Sequence, residues 1–112
     1  MSYRKTSFVG LITFDASHKH AEITEYLRKR GYEKKSLNGY DISFNTYIGT
    51  VDCDVEINEN GSFSSSKLQK ESDRLADNVR ENLKDFFEVN EVDGSVYVMF
   101  AWRLSADDST TR

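Results

Sequence analysis

Phe8-Val-Gly-Leu-Ile-Thr-Phe-Asp15 is the stretch on which the fold turns. A run of apolar or small residues, closed by an acid and followed by Ala16 and Ser17, has the pattern of a central strand feeding a helix. Phe8, Gly10, Ile12 and Phe14 point to one side, and Val9, Leu11 and Thr13 to the other, so burial on both sides is expected. Gly10 in the strand interior predicts close approach of a helix or of a neighbouring backbone.

Downstream, Ser17 is placed to cap a helix running to about Arg30, with Ile23, Tyr26 and Leu27 as its inward stripe. Gly31 fits the left-handed position just past the helix end. Tyr32 to Leu37 reads as a short polar strand, and Asn38-Gly39 as a two-residue hairpin turn. From Tyr40 the apolar positions alternate as Tyr40, Ile42, Phe44 and Ile48, then slip by one after Gly49 to Val51, Cys53, Val55 and Ile57. An unbroken strand over that span would be about 59 Å long at ~3.3 Å per residue. A domain of this size is only about 35 Å across. A turn, a bulge or a projecting arm is therefore expected near Ile48-Gly49-Thr50.

Asn60-Gly61 marks a second turn ahead of a long helix from about Ser66 to Phe87. Its seam is Leu68, Ser72, Leu75, Val79, Asn82, Leu83 and Phe86, opposite a face of mixed charge. The last strand, Ser95 to Leu104, is apolar on both sides. The order strand, helix, two strands, helix, strand predicts an α+β fold of ferredoxin-like βαββαβ type: two helices on one face of a four-stranded antiparallel sheet, with an extra hairpin arm as an option. One domain over residues 1–105 and a flexible acidic tail over 106–112 complete the expected organisation. An apolar final strand at a sheet edge calls for cover, which a homodimer joined through this C-terminal strand, or a C-terminal segment folding over it, would supply.

The chain has 112 residues, enough for one hydrophobic core, and seven Phe, six Tyr and one Trp to build it. No run approaches the ~20 apolar residues of a membrane span. The N-terminus does not read as a secretory signal. A single cysteine, Cys53, permits no intramolecular disulfide and no cysteine-based zinc cluster, and points to the cytoplasm. The net charge of −4 conceals a division. The first forty residues hold eight Lys or Arg against four Asp or Glu, and the rest hold seven against fifteen. A local anion-binding patch is thus compatible with an acidic whole.

Three groups of residues carry candidate chemistry. Asp15, at the end of the first strand, is the candidate catalytic and metal-binding carboxylate. With waters and a phosphate it would hold a divalent cation such as Mg2+. The plain alternative is a helix cap. Nearby His18 and His20 do not face each other on a helix and complete no known zinc pattern. Arg28, Lys29, Arg30, Lys34 and Lys35 form the one dense basic cluster, and with Tyr32 they would grip phosphates and stack a base of RNA. A solvated helix end beside a lysine-protected edge explains them equally. Asp41, Asp52, Asp54 and Glu56, on the polar sides of the middle strands, would make an open sheet face that repels phosphate and suits a basic protein partner. An RNA-recognition domain of this topology would present aromatics there instead.

At Leu11-Ile-Thr-Phe-Asp15, and in the helix ending Tyr26-Leu-Arg-Lys-Arg-Gly-Tyr32, the chain resembles small ferredoxin-like ribonuclease families: GhoS-type antitoxins, VapD-type toxins and the small CRISPR-adaptation protein. The resemblance implies that Asp15 is the metal- or phosphate-proximal carboxylate and that Arg28 and Arg30 contact RNA. The acidic middle strands and the long second helix depart from that pattern. Two functions stay open at this point. One is a small RNA-binding domain of toxin or antitoxin type with metal-dependent endoribonuclease activity. The other is a non-enzymatic interaction or inhibitor module acting through the acidic sheet face.

Overall fold

A computed structural model describes residues 2–42 and 45–106. Its elements are β1 (Tyr3–Ala16), α1 (His20–Lys29), β2 (Thr46–Glu56), α2 (Ser65–Val89) and β3 (Gly94–Trp102), followed by a 3-10 turn at Arg103–Ser105. The three strands form one antiparallel sheet in the order β2-β1-β3. The expected four-stranded βαββαβ arrangement is therefore corrected to a three-stranded β-α-β-α-β one. The expected acidic tail lies, from residue 107 on, outside the described residues.

The missing strand has a physical cause. Between α1 and β2 the chain offers Glu33, Lys34 and Lys35, all exposed, where a paired strand would need alternating apolar residues. Among the described residues this region forms two isolated bridges, Glu33 with Ile48 and Lys35 with Asp41. The Asn38-Gly39 turn does close, with the Gly39 amide donating to Ser36 O at 3.0 Å and the Ser36 amide to Tyr40 O at 2.8 Å. Its arms are too short and too charged to extend the sheet.

The expected break at Gly49 is also corrected, because β2 runs straight through it in unbroken register with β1. Its inward set is Tyr47, Gly49, Val51, Cys53 and Val55, with no slip of phase. Gly49 belongs to that set because a Cβ there would stand 2.4 Å from Gly31 O and 2.7 Å from the Tyr32 ring. The glycine is the floor on which Tyr32 lies. Gly10 plays the same part in β1, where an added Cβ would meet Phe100 Cζ at 2.5 Å. The apolar residues before β2 that suggested a longer strand include Phe44, which lies outside the described residues.

Both helices cover one face of the sheet. Phe8, Ile12, Ile23, Leu27, Tyr47 and Leu83 are the largest fully buried side chains. Burying each such side chain contributes about 1.5–3 kcal/mol. Phe14 stacks on Tyr47 with ring centroids 5.6 Å apart and meets Phe87 of α2 edge-on at 6.4 Å. Tyr26 of α1 touches Phe86 of α2 at 4.4 Å, which joins the helices above the sheet. Ser64 caps α2, its Oγ accepting from the Lys67 amide at 3.2 Å. Ser17 does not cap α1, which starts at His20 behind a left-handed Lys19. Instead the Ser17 amide donates to Asp93 O at 2.8 Å and its Oγ accepts from the Asp93 amide at 3.1 Å, tying the end of β1 to the entry of β3.

The described molecule measures 50 × 36 × 19 Å. A thickness of 19 Å accommodates one sheet and one helix layer at spacings of ~10 Å. No described element covers the second face of the sheet. The expectation that β1 is buried on both sides is corrected accordingly: Val9, Leu11 and Thr13 are only partly buried, whereas Phe8, Gly10, Ile12 and Phe14 are buried.

Candidate functional site

The strand register builds the uncovered face row by row. Leu11 lies opposite Ile48 on one side and Met99 on the other, so one apolar row crosses all three strands. The flanking rows are Thr50-Val9-Ala101 and Thr46-Thr13-Tyr97. Met99 and Tyr97 are 47% and 58% exposed, more than packing within one chain requires. Tyr97 and, farther along, Tyr3 also put aromatic rings on a face whose middle strands had promised only polar groups.

Beyond Val9 the face turns acidic. Asp52 and Asp54 are exposed on β2, opposite Ser7 and Lys5, and the Ser7 hydroxyl donates to the Asp52 carboxylate. Glu56 follows at the strand end but is engaged by Lys67 Nζ of α2 at 3.2 Å. Asp15 closes the opposite end of β1, exposed and opposite Ser95. Of the four expected protein-contacting acids, the sheet thus brings Asp52, Asp54 and Glu56 together. Asp41 stands apart, in a cleft under α1.

That cleft holds about 280 Å3 and gathers much of the basic cluster. Arg28, Lys34 and Lys35 line it with Thr24, Tyr47, Glu33 and Asp41. At its floor Thr24 Oγ1 and Tyr47 Oη share a hydrogen bond at 2.7 Å. The cations there are largely committed. Arg28 reaches Glu25 at 2.7 Å, which raises the guanidinium pKa and lowers that of the carboxyl. Lys34 is 5.5 Å from the Tyr47 ring centre, while Arg30, outside the cleft, lies over the Tyr26 ring at 3.6 Å. Tyr32, the residue assigned to stack a base, is 4% exposed with its ring over Gly49, and burial pushes its hydroxyl pKa up. Lys29 lies apart from the cleft, in the groove between the two helices.

Asp15 shares its end of the sheet with His18 and His20. The His18 ring meets Ser17 Oγ at 2.9 Å, and His20 lies 6.0 Å from the Phe14 ring. Among the described residues no group of three or more His, Cys, Asp or Glu converges on a point where a metal ion would sit. Asp15 thus stands at the strand end as a single carboxylate, with no second carboxylate or imidazole joining it in such a group among the described residues. Cys53 faces α2, and burial, reinforced by Glu71, pushes its thiol pKa up to about 11. A thiol of that acidity is protonated at neutral pH and a poor nucleophile.

The apolar row was visible only in part beforehand. Leu11 and Met99 lie on strands that the sequence pattern predicts, but the alternation Tyr40, Ile42, Phe44, Ile48 groups Ile48 with the apolar set that faces the helices, whereas the register puts it on the open face. Among the described residues no helix is long and apolar enough to cross a membrane. Comparison with protein-family models, curated proteins and solved structures gives no match, so the functional reading rests on the site itself.

Proposed function

We propose that the protein is a non-catalytic binding module whose uncovered sheet face takes up a basic, apolar segment of another protein. The observation that carries this reading is the row Ile48-Leu11-Met99, an apolar stripe across a whole sheet with no covering layer among the described elements. Sheets that face water ordinarily turn polar side chains outward, and an exposed apolar stripe with a polar rim is the pattern of a contact surface. The rim selects the partner by charge. Among the paired strand residues described, Asp15, Asp52 and Asp54 stand on this face against Lys5 alone, with Glu56 already paired to Lys67. Rim charges of one sign steer an opposite partner and reject a like-charged one. RNA, which presents phosphates, meets repulsion there.

An NMR titration tests the reading with two probes, an amphipathic peptide of alternating leucine and lysine and a mixed-sequence single-stranded RNA. The peptide is expected to shift the signals of Val9, Leu11, Ile48 and Met99. Thr50→Arg and Asp52→Asn/Asp54→Asn should weaken its binding several-fold, and RNA should leave the spectrum unchanged. Shifts confined to Lys34 and Lys35 on adding RNA, with the sheet signals still under the peptide, would favour the nucleic-acid reading instead.

A further inference from the structure

We propose that two copies of this chain pair antiparallel through the outer edge of β3, about a two-fold axis at Val98, to form one six-stranded sheet. β3 is bonded to β1 on one side, and among the described residues nothing pairs with its other side. Edge strands that remain solitary are ordinarily protected by charge, proline, a bulge or brevity. Gly94–Trp102 has none of these: it is nine residues long, without a charged side chain or proline, and in continuous register with β1. The opposite edge shows the contrast within the same sheet. β2 carries Asp52, Asp54 and Glu56, and the Glu33 amide donates to Ile48 O at 3.0 Å across part of its length.

The sequence of β3 suits its own copy. A two-fold axis at Val98 sets Tyr97 opposite Met99 of the second copy, Val96 opposite Phe100, and Ser95 opposite Ala101. No like charges meet, and apolar pairs fill the centre. On the helix-covered side a groove of about 700 Å3 runs between α2 and the end of β3, walled by Phe63, Leu68, Phe100 and Trp102 and by no residue of β1. The second copy's Val96, placed beside Phe100 by this register, enters that groove. The pairing is independent of the binding proposal above, since it uses the sheet edge and leaves the open face free.

Sedimentation equilibrium of the full chain at micromolar concentrations tests it. The expected mass is twice the 12.9 kDa of one chain. Tyr97→Lys/Met99→Lys sets lysine against lysine in both symmetric pairs and should give a monomer, while Tyr97→Lys/Met99→Glu sets opposite charges across the axis and should restore the dimer. Circular dichroism verifies that each variant folds, as expected at positions 58% and 47% exposed. In the unaltered chain, amide exchange along β3 should slow as concentration rises while exchange along β2 does not. Thr50→Arg should leave the mass unchanged, which separates this proposal from the binding reading. A chain monomeric throughout, a dimer indifferent to the double-lysine variant, a Lys/Glu variant no better than Lys/Lys, or dimerisation appearing only after truncation at Ala106 would each overturn the proposal.

Discussion

The two faces of this sheet are made from the same strands, yet they solve opposite problems. On the helix side Phe8, Gly10, Ile12 and Phe14 of β1 are buried, and where a large side chain arrives from another element the sheet supplies a glycine: Gly10 of β1 under Phe100 and Gly49 of β2 under Tyr32. On the other side the intervening residues Val9, Leu11 and Thr13 are only partly buried, and no described helix lies over them. The difference teaches that apolar content alone does not locate the core. What separates core from open surface here is the presence of a second layer.

Substitutions should reproduce that division. The largest effect is expected for Phe8→Ala, which opens a cavity in the helix-covered core and should cost about 3–5 kcal/mol in urea unfolding. Next come the glycine floors. Gly49→Ala and Gly10→Ala should each lose about 1–3 kcal/mol through overpacking. Gly49 should be the worse of the two, because its clash includes the Gly31 carbonyl, which cannot rotate away as the Phe100 ring can. If Gly10→Ala were neutral, the close contact between β1 and Phe100 would be in error.

Smaller effects sharpen the comparison further. Tyr47→Phe removes the hydrogen bond to Thr24 and should cost about 1 kcal/mol, read from the shift in the denaturant midpoint. Thr50→Ala, on the open face, should stay within about 0.5 kcal/mol. For Cys53 the effect is confined to alkaline pH. Its thiol titrates near 9.0 when unfolded and about 11 when folded, so the unfolded chain loses its proton first. This contribution to stability is fully present below pH 9.0 and is lost as pH rises through about 11. Thermal melts across that window should show a decline that Cys53→Ala lessens.

Much of the helix-covered half was legible in the sequence. The β1 run, the seam of α2 and the length of β3 each repeat a single period over enough residues to fix an element. The region between α1 and β2 was not, because there alternation of apolar residues and the Asn38-Gly39 turn suggested paired strands, while the charges at Glu33, Lys34 and Lys35 argued the other way and prevailed. Gly49 misled for a separate reason. A glycine contributes nothing to a hydrophobic pattern, so an inward position that exists to receive Tyr32 looks like an interruption. Tyr32, which follows a basic helix end, reads in the sequence as a ligand contact, and only the fold puts its ring in the core. The acids of β2 were legible as a surface, but the apolar row beside them required the register of three strands.

A soluble gadolinium chelate, which attenuates NMR signals from methyl groups it can approach, tests the division of the sheet most directly. Strong attenuation of the Val9, Leu11, Ile48 and Met99 methyls, with those of Ile12, Ile23, Leu27 and Leu83 protected, is the result predicted here. Equal protection of Leu11 and Ile12 would contradict it, because the face assigned to a partner would then already be covered by the protein itself.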